Sequence, residues 1–64
     1  MISKYEKNHV VPKIEGAIWL FKEKGFSPTV ENVQQVLATK GLHVRAERVL
    51  YLMLNDENLV RAIG

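Results

Sequence analysis

The sequence predicts an all-α domain: a three-helix core in a helix-turn-helix layout, followed by a short C-terminal helix or strand. Three observations predict it. Apolar residues recur at three- and four-residue steps in successive segments. Single glycines, Gly25 and Gly41, punctuate those segments. With 64 residues there is length for one core only, so residues 1–64 are read as a single domain. A chain this short buries only about 60% of its unfolded surface, so every large apolar side chain counts.

The first helix is clearest over residues 13–24, with a start near Val10 or Val11. Val10, Val11, Ile14, Ala17, Ile18 and Phe21 form one apolar stripe. Pro12 suits a first turn, where its missing N–H has no partner to lose. Gly25 supplies the left-handed stop. A second helix start follows, with Ser27 as cap, Pro28 at the first helical position and Glu31 near the positive end of the macrodipole. Val30, Val33, Val36 and Leu37 line one face of this helix, while Glu31, Asn32, Gln34 and Gln35 cover the other.

After Gly41 a third helix is expected from His43 to about Leu54. Its first turns carry His43, Arg45, Glu47 and Arg48. Residues 49–54 are apolar nearly all round, which suggests the centre of the core or burial by a second copy. The tail has two readings. Leu59, Val60 and Ile63 fit one helical face with Asn55 or Asp56 as cap, and residues 59–63 equally fit a short strand.

Several function classes fall away. The chain has no cysteine, which excludes thiolate metal sites and disulfides and fits a reducing, cytoplasmic setting. His9 and His43 lack metal-ligand spacing, so no metal is expected. The longest apolar run, Val49 to Leu54, is six residues, far short of a membrane span, and the N-terminus has no signal-like apolar stretch. Ser27 and Thr29 are accounted for as helix-start residues, and the glycines at 16, 25, 41 and 64 stand singly rather than in a phosphate loop. No enzyme activity, cofactor or small-molecule substrate is therefore expected. A net charge of +2 permits nucleic-acid binding without establishing it.

In a helix-turn-helix, the second helix braces and the third enters the major groove with its N-terminal side chains toward base edges. Here those side chains are His43, Arg45, Glu47 and Arg48. Arginine suits guanine or a phosphate, and glutamate can accept from cytosine N4. The alternative is that Arg45, Glu47 and Arg48 form only a solvated helix face. Lys40 and Lys24 are candidate phosphate contacts, as is Thr29 through the N-terminus of the second helix.

Ala17, Phe21 in place of the usual leucine, Gly25, Pro28-Thr29-Val30, Val33 and Leu37 together resemble, without a gap, the N-terminal DNA-binding domain of plasmid KfrA-type proteins. That resemblance covers about a third of the chain, residues 17–37, and implies double-stranded DNA binding. Gln34 stands where the family has arginine, and residues 38–42 replace its glycine-rich turn. More broadly, residues 48–61 are similar to the recognition helix and first wing strand of winged-helix regulators.

Trp19 lies roughly opposite the Ile14–Ile18–Phe21 stripe. It is read as covered by Tyr5 or Ile2, or as a homodimer contact, ahead of a foreign partner. Val44, Tyr51 and Leu54 pose the same question on the third helix. The combined expectation is a homodimeric double-stranded DNA-binding protein, such as a transcriptional or plasmid- or phage-type regulator. The competing expectation is a small protein-interaction module, an adaptor or inhibitor, using Trp19 and the apolar third helix.

Overall fold

Ser3 begins the helical chain, because Ser3-Lys4-Tyr5-Glu6 is a capping box. The Glu6 N–H donates to Ser3 Oγ at 3.1 Å, and the Ser3 N–H donates to Glu6 Oε1 at 2.9 Å. In the computed structural model, which describes residues 1–64, the helical backbone runs from Lys4 to Lys24. The first helix thus starts at Lys4 rather than near Val10 or Val11, where its apolar stripe begins. It opens with a π-helical turn, Glu6–Val10, and continues as α1, Val11–Lys24. Pro12 gives a reason for the wide turn. Inside a continuous helix a proline lacks its N–H and crowds the carbonyl four residues back, and an i→i+5 register relieves that crowding.

Gly25 ends α1 at φ 79°, with its N–H donating to the Lys22 carbonyl and that of Phe26 donating to the Phe21 carbonyl. That paired closure needs the left-handed conformation, which glycine adopts without steric cost. The next helix, α2, spans Val30–Thr39 and is capped by Thr29, whose side chain accepts from the Asn32 N–H. Ser27 and Pro28 therefore precede the helix rather than opening it. Ser27 contributes its carbonyl, which accepts from Asn32 Nδ2.

Two more helices follow: α3, Ala46–Asn55, and α4, Glu57–Ile63. Asp56 separates them with extended backbone and caps α4 by accepting from the Asn58 and Leu59 N–H groups. The tail is therefore a helix, and no strand forms anywhere in the chain. The wing expected from the winged-helix likeness is absent from residues 55–64.

One core joins all four helices: Val10, Val11, Ile14 and Ile18; Val33 and Leu37; Val49, Leu52 and Met53; Leu59 and Ala62. The stripes expected on α1 and α2 supply it, with Phe21 half-buried at its edge. On α4 the buried pair is Leu59 and Ala62, while Val60 and Ile63 face outward. The third helix is amphipathic rather than buried all round, because Leu50 and Leu54 point to solvent. No helix is long and apolar enough to cross a membrane.

Candidate nucleic-acid interface

The connection between α2 and α3 determines which polar side chains are offered. Gly41 turns the chain at φ 76°, with the Leu42 N–H returning to the Leu37 carbonyl at 2.9 Å. Beyond it the backbone is not helical. Leu42 and Val44 are partly buried against the core, while His43 and Arg45 are exposed. This alternation is the period of extended chain, in which successive side chains point to opposite sides. Gln34 holds the segment down by donating from Nε2 to the Val44 carbonyl at 2.9 Å.

His43 and Arg45 therefore do not lie on the third helix, as the sequence suggested. That helix begins three residues later, at Ala46, with Arg45 as its cap residue in extended conformation. Anchoring of Leu42 and Val44 in the core outweighs the helical register that the polar spacing implied. The outward set on this connection is Lys40, His43 and Arg45, joined by Glu47 in the first turn of α3. None of these four side chains takes part in an internal hydrogen bond or ion pair.

Arg48 is different. Its Nε donates to Glu6 Oε2 at 2.6 Å, and one terminal nitrogen donates to Glu6 Oε1 at 2.7 Å and to the Met1 carbonyl at 2.6 Å. The guanidinium also lies 4.6 Å from the centre of the Tyr51 ring. The fork-shaped pairing holds the Glu6 carboxyl at about 2, against an ordinary 4.5, with the Ser3 N–H adding to the effect. In turn, the Glu6 carboxylate raises the Arg48 pKa. Arg48 is thus a clasp between the first helical turn and α3, and its groove-contact role is corrected accordingly. Sequence reasoning missed Glu6, although the Ser-x-x-Glu spacing was there to mark it.

The remaining candidates lie apart. Thr29 is exposed at the start of α2, with its hydroxyl oxygen engaged as the cap. Lys24 is exposed at the end of α1, before a different connection. Among the proposed partner contacts, Val44 packs on the core, and the Tyr51 hydroxyl accepts from the Met1 ammonium at 2.7 Å. Both are engaged internally, whereas Leu54 is 67% exposed. Neither Tyr5 nor Ile2 covers Trp19. Tyr5 stacks near His9, and Ile2 packs on the core. Trp19 remains 52% exposed, with only the Lys22 ammonium over its ring at 5.1 Å.

The structure brings together no group of three or more potential metal-ligating side chains. The architecture is a four-helix α domain in which residues 40–45 join α2 to α3. Comparison with family models, curated proteins and solved structures returns no match for this chain.

Proposed function

We propose that the chain is a double-stranded DNA-binding module of the kind used by regulators, and that it meets the duplex through the 40–45 connection and the start of α3. One observation carries this reading: Lys40, His43 and Arg45 point outward together from a connection pinned on both sides, with no internal partner. Cations held on a rigid turn neutralise phosphates at little entropic cost, and an arginine at the mouth of a helix can reach a base edge. Arg45 is the principal contact, with Lys40 and His43 beside it. Glu47, one turn into α3, either accepts from cytosine N4 or repels phosphate, and so contributes selectivity. Arg48 supports the site by fixing α3 rather than by touching DNA.

The test is a fluorescence-anisotropy titration of a random duplex at about 50 and about 200 mM salt. Two to three phosphate contacts give an affinity loss of about 10–40-fold between those conditions, from a slope of about −0.9 per contact. Arg45→Ala lowers affinity and flattens the slope by about one contact. Absence of saturable binding at the lower salt, or an affinity indifferent to salt, refutes the proposal.

A second reading, a protein-interaction module, is favoured by the outward Leu50 and Leu54 on α3, which are 46% and 67% exposed. Apolar side chains on the helix that would face DNA suit a protein surface better than a phosphate backbone. Under that reading, substitution of Leu50 and Leu54 abolishes self-association or partner binding, and salt has little effect.

A further inference from the structure

We propose that the outward groove between α1 and α2 is a docking site for one apolar, acidic helix of another protein. The groove has a volume of about 450 Å³. Pro12, Gly16 and Leu20 form one side at four-residue steps along α1, and Val36 faces them from α2. Lys13 and Lys40 are the only charged residues lining it. Neither lysine is ion-paired. Lys13 donates only to the His9 carbonyl, at 3.1 Å.

Gly16 is the residue the fold itself does not explain. It lies inside α1, where glycine is among the weakest helix formers. Its φ is not positive, and a Cβ built there meets nothing within 4 Å. Neither backbone geometry nor internal packing requires glycine at this position. Its missing side chain does leave the middle of the groove open, which permits close approach of another backbone. Trp19 follows three residues later on the outward side of α1 and Leu20 four later, at 52% and 44% exposure. Leu20 lines the groove, whereas Trp19 lies outside its lining, under the Lys22 ammonium, and serves as a nearby reporter.

The occupant follows from charge. A groove whose charged residues are two unpaired lysines is complementary to carboxylates. A second copy pairing groove to groove would set lysine against lysine, because a two-fold interface repeats the same patch on both sides. A phosphate backbone could meet the two lysines but would leave the apolar lining of Pro12, Leu20 and Val36 uncovered. An amphipathic helix with apolar residues at three- and four-residue steps and flanking glutamates satisfies both features. The groove shares Lys40 with the proposed DNA contact, but Gly16 and Lys13 lie outside the 40–45 connection, so substitutions at those two positions test this proposal apart from DNA binding.

The probe is a synthetic helical peptide with leucines at those steps and flanking glutamates, together with a twin carrying lysines instead. Trp19 is the only tryptophan and reports binding by its fluorescence, while amide shifts map the site. The acidic peptide is expected to saturate with shifts centred on Gly16 and Leu20, at least tenfold tighter than its twin. Gly16→Leu and Lys13→Glu are each expected to weaken it at least tenfold, with thermal midpoints no lower than that of the parent. Equal affinity for both peptides, shifts centred elsewhere, or no saturable binding overturns the proposal. So does a concentration-dependent dimer in sedimentation that Gly16→Leu abolishes, since that assigns the groove to a second copy.

Discussion

Asp56 carries the sharpest stability prediction, because one buried side chain joins three elements. It is 2% exposed. Its Oδ1 accepts from the Asn58 N–H at 2.9 Å and the Leu59 N–H at 3.2 Å, and its Oδ2 accepts from Lys7 Nζ at 2.6 Å. In Asp56→Ala, loss of the cap costs about 1 kcal/mol. Leaving the buried Leu59 N–H without a partner raises that, since an orphaned buried donor costs about 1–3 kcal/mol. The ion pair adds under about 1 kcal/mol, because the Lys7 side chain is 47% exposed and well solvated. These contributions overlap, so the expected total is about 2–3 kcal/mol. For a domain of this size that lowers Tm by about 14–20 °C. Asp56→Asn keeps the cap acceptor and loses the charge, so its cost is about 1 kcal/mol. Urea and thermal unfolding of both variants measure this. An alanine variant within about 0.5 kcal/mol of the parent, or an asparagine variant as costly as alanine, refutes the reasoning.

Acid provides a second check. Burial alone would raise the Asp56 pKa, but Lys7 and the Leu59 and Asn58 N–H groups outweigh it and hold the carboxyl below its usual range. Glu6 is held at about 2. Both folded-state values lie below the unfolded ones, so their stabilisation is complete above the ordinary carboxyl range. It is lost as pH falls from about 4.5 toward about 2. Unfolding midpoints across that range should fall in the parent and fall less in Glu6→Gln, which at neutral pH is itself less stable by about 1 kcal/mol. Gly41→Ala is expected to cost about 1 kcal/mol in urea unfolding, because alanine must adopt a positive φ there. Gly16→Ala should do the reverse and stabilise by about 0.5–1 kcal/mol, since it restores helix propensity without a clash. Arg48→Ala should lower Tm and leave the salt slope of DNA binding unchanged, whereas Arg45→Ala should flatten that slope and leave Tm nearly unchanged.

The elements that could be read from the chain are those specified over about one helical turn. Ile14, Ala17 and Ile18 mark the buried face of α1 by spacing alone, as Val33 and Leu37 do for α2. Gly25 and Gly41 end their helices through a conformation that other residues resist. Ser3 and Glu6 belong with these, because their capping box lies within residues 3–6 and needs no distant partner. The start of the first helix was therefore available in the sequence, even though the apolar stripe pointed to Val10.

What the sequence by itself determined is thus the helical class, the helix ends and most of the core, since hydrophobic period and cap chemistry act between neighbours in the chain. The candidate site was decided by tertiary structure. Arg48 and Glu6 are 42 residues apart, and nothing near either shows that one will neutralise the other. His43 and Arg45 point outward because Leu42 and Val44 pack inward on a core built from all four helices. Burial of those two side chains outweighs the local preference for continuing the helix. A guanidinium can be assigned to a ligand or to its own protein only when the groups within reach are known, and that reach is set by packing rather than by position along the chain.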